Sequence, residues 1–197
     1  MKLLFLHGWG LDAHLWDRVR AALPEFETTA IDRGYFGPPM TELPPEPFLA
    51  VGHSLGAMLM AGMPGITGLI AVNGFDRFTG EDAVPPRVVE RMRKRFAEAP
   101  TEVLADFRAR IGAPPAANDL EPDILAADLT TLAEAGARGT KRPRTLVLHG
   151  GADPLLPAAM RETVFADAPR VTLAEAGHLL PLTHPDWVAE HIRAFPA

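Results

Sequence analysis

The 197-residue sequence contains no cysteine. That absence excludes a disulfide framework and any thiolate-bound metal, and it fits a reducing compartment such as the cytoplasm. No run approaches the roughly 20 consecutive apolar residues of a membrane span. The opening Met1 Lys2 Leu3 Leu4 Phe5 Leu6 has the charge-then-apolar order of a signal peptide, but the run stops at His7 and no small-residue cleavage site follows. It reads as a strand. Positive charge is in deficit as well: 19 Lys and Arg against 25 Asp and Glu leave a formal charge of −6, which argues against nucleic acid as a general partner. What is present is a 47% hydrophobic composition, in a length suited to one domain with a substantial core, monomeric or homodimeric.

Residues 2–6 form a short apolar run ending at His7 Gly8 Trp9 Gly10, the pattern of a strand buried on both faces of a parallel sheet. Similar runs recur at 26–31, 48–51, 68–72, 145–148 and 170–174. Leu11, Leu15, Val19 and Ala22 predict a helix between the first two. Residues 38–47 carry five prolines and predict an extended surface connection. From 79 to 142 strand signals give way to helical ones. Val88, Val89, Met92 and Phe96 make one stripe; Val103, Leu104, Phe107 and Ile111 make a second, with Thr101 as N-cap and Gly112 as the closing residue. A third helix is expected over 121–134, and capping-box spacing of Thr183 and Asp186 is expected to open the last helix. The alternation predicts an α/β fold, a doubly wound, mostly parallel sheet of about six strands. Residues 1–78 and 143–197 would form its core, and 79–142 a small helical cap rather than a second domain.

Sites in such sheets form at the carboxyl ends of the strands. Residues 52–56, Gly His Ser Leu Gly, follow an apolar strand and precede a helix-compatible run, the context in which a serine is held on a sharp turn with its hydroxyl exposed. A serine hydroxyl needs a base to take its proton and an acid to orient that base. Ser54 is the candidate nucleophile, His178 in Ala176 Gly177 His178 Leu179 the base, and Asp153 in Gly150 Gly151 Ala152 Asp153 Pro154 the acid. Asp76 also follows a strand end and is an alternative acid; His184 is a weaker rival base. His7, His53 and His149 flank glycines without the spacing of a metal site and read as turn-stabilising groups, so neither a metal nor a cofactor is expected.

With its Ser, Asp, His order and the HGWG, GHSLG, GGADPLLP and AGHLLPLTHPDWV segments, the sequence resembles the α/β-hydrolases over nearly its whole length. It begins at the strand that is third in larger members, and its cap is short. The resemblance implies a serine carboxylester hydrolase working through an acyl-enzyme, with an oxyanion hole made by the backbone N–H groups of Trp9 and Leu55. Thioesterase, lactonase and other reactions of the same triad, or a slow-turnover ligand-binding module, are alternatives. Within the family, HGWGLDAHLW and the stretch from Val103 to Gly112 resemble the esterases that demethylate pimeloyl-carrier-protein methyl ester in biotin synthesis. That likeness implies that Trp9 and Phe107 contact the acyl chain. Phe75 is a further candidate for the acyl pocket.

Arg87, Arg91, Arg93, Lys94 and Arg95 concentrate positive charge on the first cap helix, and Arg108 and Arg110 extend it on the second. Such runs are ordinarily solvated amphipathic faces. The functional alternative is that Arg87, Arg91 and Arg95 dock an acyl carrier protein bearing the ester, rather than the ester arriving as a free small molecule.

Overall fold

Both faces of the sheet are covered, which is why its strands read as nearly continuous apolar runs. The structure is a computed structural model and describes residues 1–116, 120–139 and 143–195. Strands β1 (Lys2–Leu6), β2 (Glu27–Ile31), β3 (Phe48–His53), β4 (Ile66–Val72), β5 (Arg144–Gly150) and β6 (Arg170–Leu173) pair in parallel in the order β2-β1-β3-β4-β5-β6. Leu3, Phe5, Leu49, Val51 and Ile70 point to one face and pack with Trp16, Val19, Val188 and Ile192. Their neighbours Leu4, Leu6, Ala50, Leu69 and Ala71 point to the other and pack with Met60 and Met160. Period-two alternation therefore divides one apolar run between two cores.

The first covering segment is a 3-10 turn, Ala13–Trp16, running into α1 (Asp17–Ala21), rather than the single longer helix its spacing suggests. The Asp12 carboxylate accepts the His14 N–H at 3.0 Å and draws the chain into the tighter turn. Leu11, Leu15 and Val19 still face inward. Further along, α2 (Leu55–Met60) follows β3, α6 (Ala158–Thr163) follows β5, and α7 (Leu180–Thr183) and α8 (Pro185–Ala194) close the described chain.

Between β4 and β5 lie α3 (Pro86–Glu98), α4 (Pro100–Ile111) and α5 (Pro122–Glu134). The end expected for this insert, residue 142, lies outside the described residues. Two expected caps are absent. Pro100 occupies the first position of α4, which puts Thr101 inside the first turn and leaves Ala99 as N-cap without a side-chain bond. Likewise Pro185 starts α8, so His184 is its N-cap and the Thr183 hydroxyl donates back to Leu179 O at 3.0 Å instead. Proline carries no N–H at a position where none has an intrahelical partner, so it starts a helix without a capping side chain. Gly112 closes α4 as expected, at φ +77°. On α3, Val89 and Phe96 are buried, but Val88 is 46% exposed. No helix among the described residues is long and apolar enough to cross a membrane.

A tight backbone constraint lies where β3 turns into α2. A Cβ at position 56 would lie 2.4 Å from Leu6 O and 2.7 Å from His7 O; at position 52 it would lie 2.5 Å from the Ala57 backbone. All of those atoms are backbone and cannot swing aside. We expect Gly56→Ala to destabilise the protein by about 2–3 kcal/mol, as overpacking of a rigid site does. Urea unfolding checks this, and an unchanged midpoint would show that α2 is free to move away from β1.

Candidate active site

Ser54 sits between β3 and α2 at φ 53°, ψ −121°, a conformation that L-residues rarely adopt. The surrounding contacts hold it there: its N–H donates to Val72 O at 3.0 Å and its carbonyl accepts the Ala57 N–H at 3.1 Å. The residue is only 8% exposed. The 7–10 turn lies directly against it, since a Cβ on Gly8 would come within 2.8 Å of Ser54 Cβ. Neither the Trp9 N–H nor the Leu55 N–H donates to a protein group among the described residues. At Leu55 this follows from its place as the first residue of a helix.

In the turns after β5 and β6, His178 Nδ1–H donates to Asp153 Oδ2 at 2.7 Å, with both side chains essentially inaccessible. Asp153 Oδ1 accepts the N–H groups of Leu155 at 2.8 Å and Leu156 at 3.2 Å, and Oδ2 also accepts Asn73 Nδ2 at 2.8 Å. Burial pushes this carboxyl's pKa up, but the adjacent His178 and these donors outweigh it and hold it at about 2. An ionised Asp153 fixes the proton on Nδ1 and leaves Nε2 of His178 as the basic atom. The His178 backbone is tied in turn, because His53 Nε2–H donates to His178 O at 2.9 Å. Ser54 Oγ makes no hydrogen bond among the described residues. Of the three residues expected to act together, the structure thus joins His178 and Asp153 directly, with Ser54 next in sequence to the histidine that holds the His178 carbonyl.

Asn73 was not legible as a site residue. It stands at φ 46° just after β4, and its amide donates to Asp153 and, at 3.3 Å, to Gly177 O, linking the acid turn to the histidine turn. The Asn73 Gly74 pair after a strand was its only signal. Asp76, the alternative acid, is engaged elsewhere: it pairs with Arg138 at 3.2 Å and accepts the Phe165 N–H at 3.1 Å. His184, the rival base, is half-buried and bonded to the Thr183 hydroxyl at 2.8 Å.

A cavity of about 750 Å³ lies among α3, α4, α5 and the turn after β5. Trp9, Phe78, Met92, Phe107 and Asp153 line it, whereas Ser54 and His178 do not. Trp9 and Phe107 meet edge to face at 4.8 Å. Phe75 is not on this wall; it is fully buried behind Phe78, 4.9 Å away. It follows β4 too closely to reach past Phe78. Arg91 and Arg95 reach the cavity and are exposed, with Arg95 paired to Asp106 at 3.1 Å, while Arg87 is exposed but not part of it. Arg108 does not extend the basic face. It is buried, and its guanidinium donates to Gly10 O at 2.6 Å and Pro114 O at 2.7 Å.

A parallel sheet with a strained serine after its third strand, and an aspartate and histidine after its fifth and sixth, defines an alpha/beta hydrolase. The model of the alpha/beta hydrolase family matches residues 39–191, and the chain belongs to that family. A pimeloyl-[acyl-carrier protein] methyl ester esterase of Pectobacterium atrosepticum is 27% identical, aligned over 98% of this chain and 93% of that protein. The protein of the same name from Serratia marcescens is 26% identical, over 99% and 93%. Among solved structures, a thermophilic esterase from Thermogutta terrifontis shares the fold with a TM-score of 0.76 at 21% identity, covering 98% of this chain and 88% of that one. The enol-lactonase of Burkholderia xenovorans does so at 0.74 and 19%, covering 98% and 90%.

Two histidines near the site are buried and neutral. Burial, with His178 close by, pushes His53 down to about 3; burial pushes His149, whose ring nitrogens both lack partners among the described residues, down to about 4. The unfolded chain takes up protons at these positions near pH 6.5, whereas the folded chain does so only below about 4. Their contribution to stability is therefore present above pH 6.5 and is lost as pH falls toward 4. We expect about 2 kcal/mol to be lost through His149 alone between pH 7.5 and 5. Unfolding of wild type and His149→Leu at both pH values tests this, since the variant should lose less; equal losses would contradict neutral burial of His149.

Proposed function

We propose that the protein is a serine carboxylester hydrolase. The observation that carries this reading is the buried His178–Asp153 hydrogen bond, 2.7 Å long, whose histidine is tied through its carbonyl to His53, the residue preceding the positive-φ Ser54. Ser54 Oγ attacks the ester carbonyl carbon while His178 Nε2 takes its proton. Asp153 keeps the imidazole oriented and stabilises the imidazolium that forms. Charge building on the carbonyl oxygen is met by the N–H groups of Trp9 and Leu55, which have no protein acceptor to give up. His178 then protonates the departing alkoxide, leaving an acyl-enzyme and a free alcohol. Water, deprotonated by the same nitrogen, releases the acid and restores Ser54.

In this reading residues 79–142 act as a cap, and the cavity beneath it receives the acyl chain along a wall that includes Trp9 and Phe107. The relatives named pimeloyl-[acyl-carrier protein] methyl ester esterase support a finer assignment, a methyl ester carried on an acyl carrier protein. Exposed Arg91 and Arg95 at the cavity suit an acidic carrier docking beside the opening, and Arg87 continues the same helix. The exposed Arg95–Asp106 pair holds little energy against such docking, since pairs of this kind contribute at most about 1 kcal/mol.

Ser54→Ala should lower kcat on a short p-nitrophenyl ester by at least about 10³-fold with the fold intact; a folded variant of near-normal rate would falsify the mechanism. Reversing charge in Arg91→Glu/Arg95→Glu should raise KM for a carrier-bound methyl ester by a larger factor than for the free ester. An equal effect on both substrates would remove the docking role.

A further inference from the structure

Arg108 is a buried cation without a buried anion. No carboxylate among the described residues lies within ion-pair distance of it, and its donors go to two carbonyl oxygens, Gly10 at 2.6 Å and Pro114 at 2.7 Å, with the guanidinium 5.5 Å over the Phe36 ring. Taking a guanidinium out of water for two carbonyls, a ring face and the Asp12 carboxylate, which acts on it beyond ion-pair distance, is a poor exchange on stability grounds alone. Its position is more telling. Gly10 ends the 7–10 turn, one residue after Trp9, and at φ +68° it has a backbone freedom that leaves the turn poorly fixed by its own sequence.

The other restraints on that turn come from the same helices. A Cβ at position 10 would meet Leu104 Cδ1 at 2.9 Å and Phe107 Cδ1 at 3.3 Å, so α4 lies directly on it. Trp9 donates its indole N–H to Leu125 O of α5 at 2.9 Å. On the near side, His7 Nδ1–H donates to Gly8 O at 2.8 Å, and His7 Nε2 accepts the Arg33 N–H at 3.0 Å. Arg33 Nε in turn donates to buried Asp128 of α5 at 2.8 Å. The turn that faces Ser54 is thus held from outside the sheet, by α4 and α5, and Arg108 is the charged member of that set.

We propose that Arg108 is a positioning residue that, by gripping Gly10 O from α4, holds the Trp9 N–H aimed at the carbonyl oxygen of an ester on Ser54. The inference rests on the hydrolase reading above and on the part it gives to Trp9. It makes the oxyanion site a product of helix docking: α4 seated on the turn aims the donor, and α4 lifted away releases it. Arg108 touches no reacting atom.

Three measurements on the full chain test this: kcat and KM for p-nitrophenyl butyrate, affinity for an alkyl boronic acid that forms a tetrahedral adduct with a serine hydroxyl, and rescue by methylguanidinium. Arg108→Ala should lower kcat and boronate affinity together, by about 10- to 100-fold, the scale of a small misplacement of a catalytic group. KM should stay within about threefold, and millimolar methylguanidinium should recover part of kcat. Arg108→Lys, whose ammonium lacks the fixed planar fork of the guanidinium, should fall between; it also decides the matter if Arg108→Ala does not fold. Wild-type kcat and boronate affinity in the Lys variant would overturn the proposal. So would a loss of kcat with boronate affinity retained, which would assign Arg108 to fold stability alone. If the wild type neither hydrolyses the ester nor takes up the boronate, the hydrolase reading itself fails, and the positioning role falls with it.

Discussion

Everything at the site depends on how closely α2 approaches the end of β1. Because position 56 carries no side chain, the first turn of α2 rests on the carbonyls of Leu6 and His7. Ser54 takes its positive-φ conformation beside that contact, and the 7–10 turn lies against it. With the approach made, Ser54 and the 7–10 turn lie in direct contact. The strain at Ser54, of the order of 1–3 kcal/mol for such a backbone, is held by the surrounding sheet rather than relieved locally. Its N–H is bonded to β4, so the neighbouring strand holds the turn in place.

The same economy of contacts orders the turns after β5 and β6. Asp153 is anchored by its own turn through Leu155 and Leu156, and by Asn73 from the end of β4. His178 is held by Asp153 through its ring and by His53 through its carbonyl. Three strand ends therefore converge on one imidazole. The electrostatics follow from the burial: a carboxylate with three donors besides the imidazole stays ionised, while His53, which has only a carbonyl to donate to, stays neutral.

Much of this was legible in the sequence because its causes are local. The strands declare themselves by apolar runs whose alternate residues serve two cores, as Leu3 and Phe5 do against Leu4 and Leu6. The serine turn is readable because only glycine fits at 52 and 56. What escaped depends on contacts between distant segments. Asn73 lies 80 positions from the carboxylate it serves, and Arg108 lies 98 from the carbonyl it grips, so Arg108 looked like one more charge on an amphipathic helix. Phe75 and Phe78 are alike in composition, and only the packing places one behind the other. The caps expected at Thr101 and Thr183 failed for a local reason, a neighbouring proline that starts each helix without them.

The proposal that Ser54 is the nucleophile of this alpha/beta hydrolase underlies every step of the mechanism. It is tested most directly by treating the native protein with a fluorophosphonate ester and locating the adduct by mass spectrometry of its peptides. One phosphonyl group per chain is expected, on Ser54, with none when the protein is unfolded beforehand. An unmodified Ser54, or an adduct on another residue of the folded protein, would contradict it.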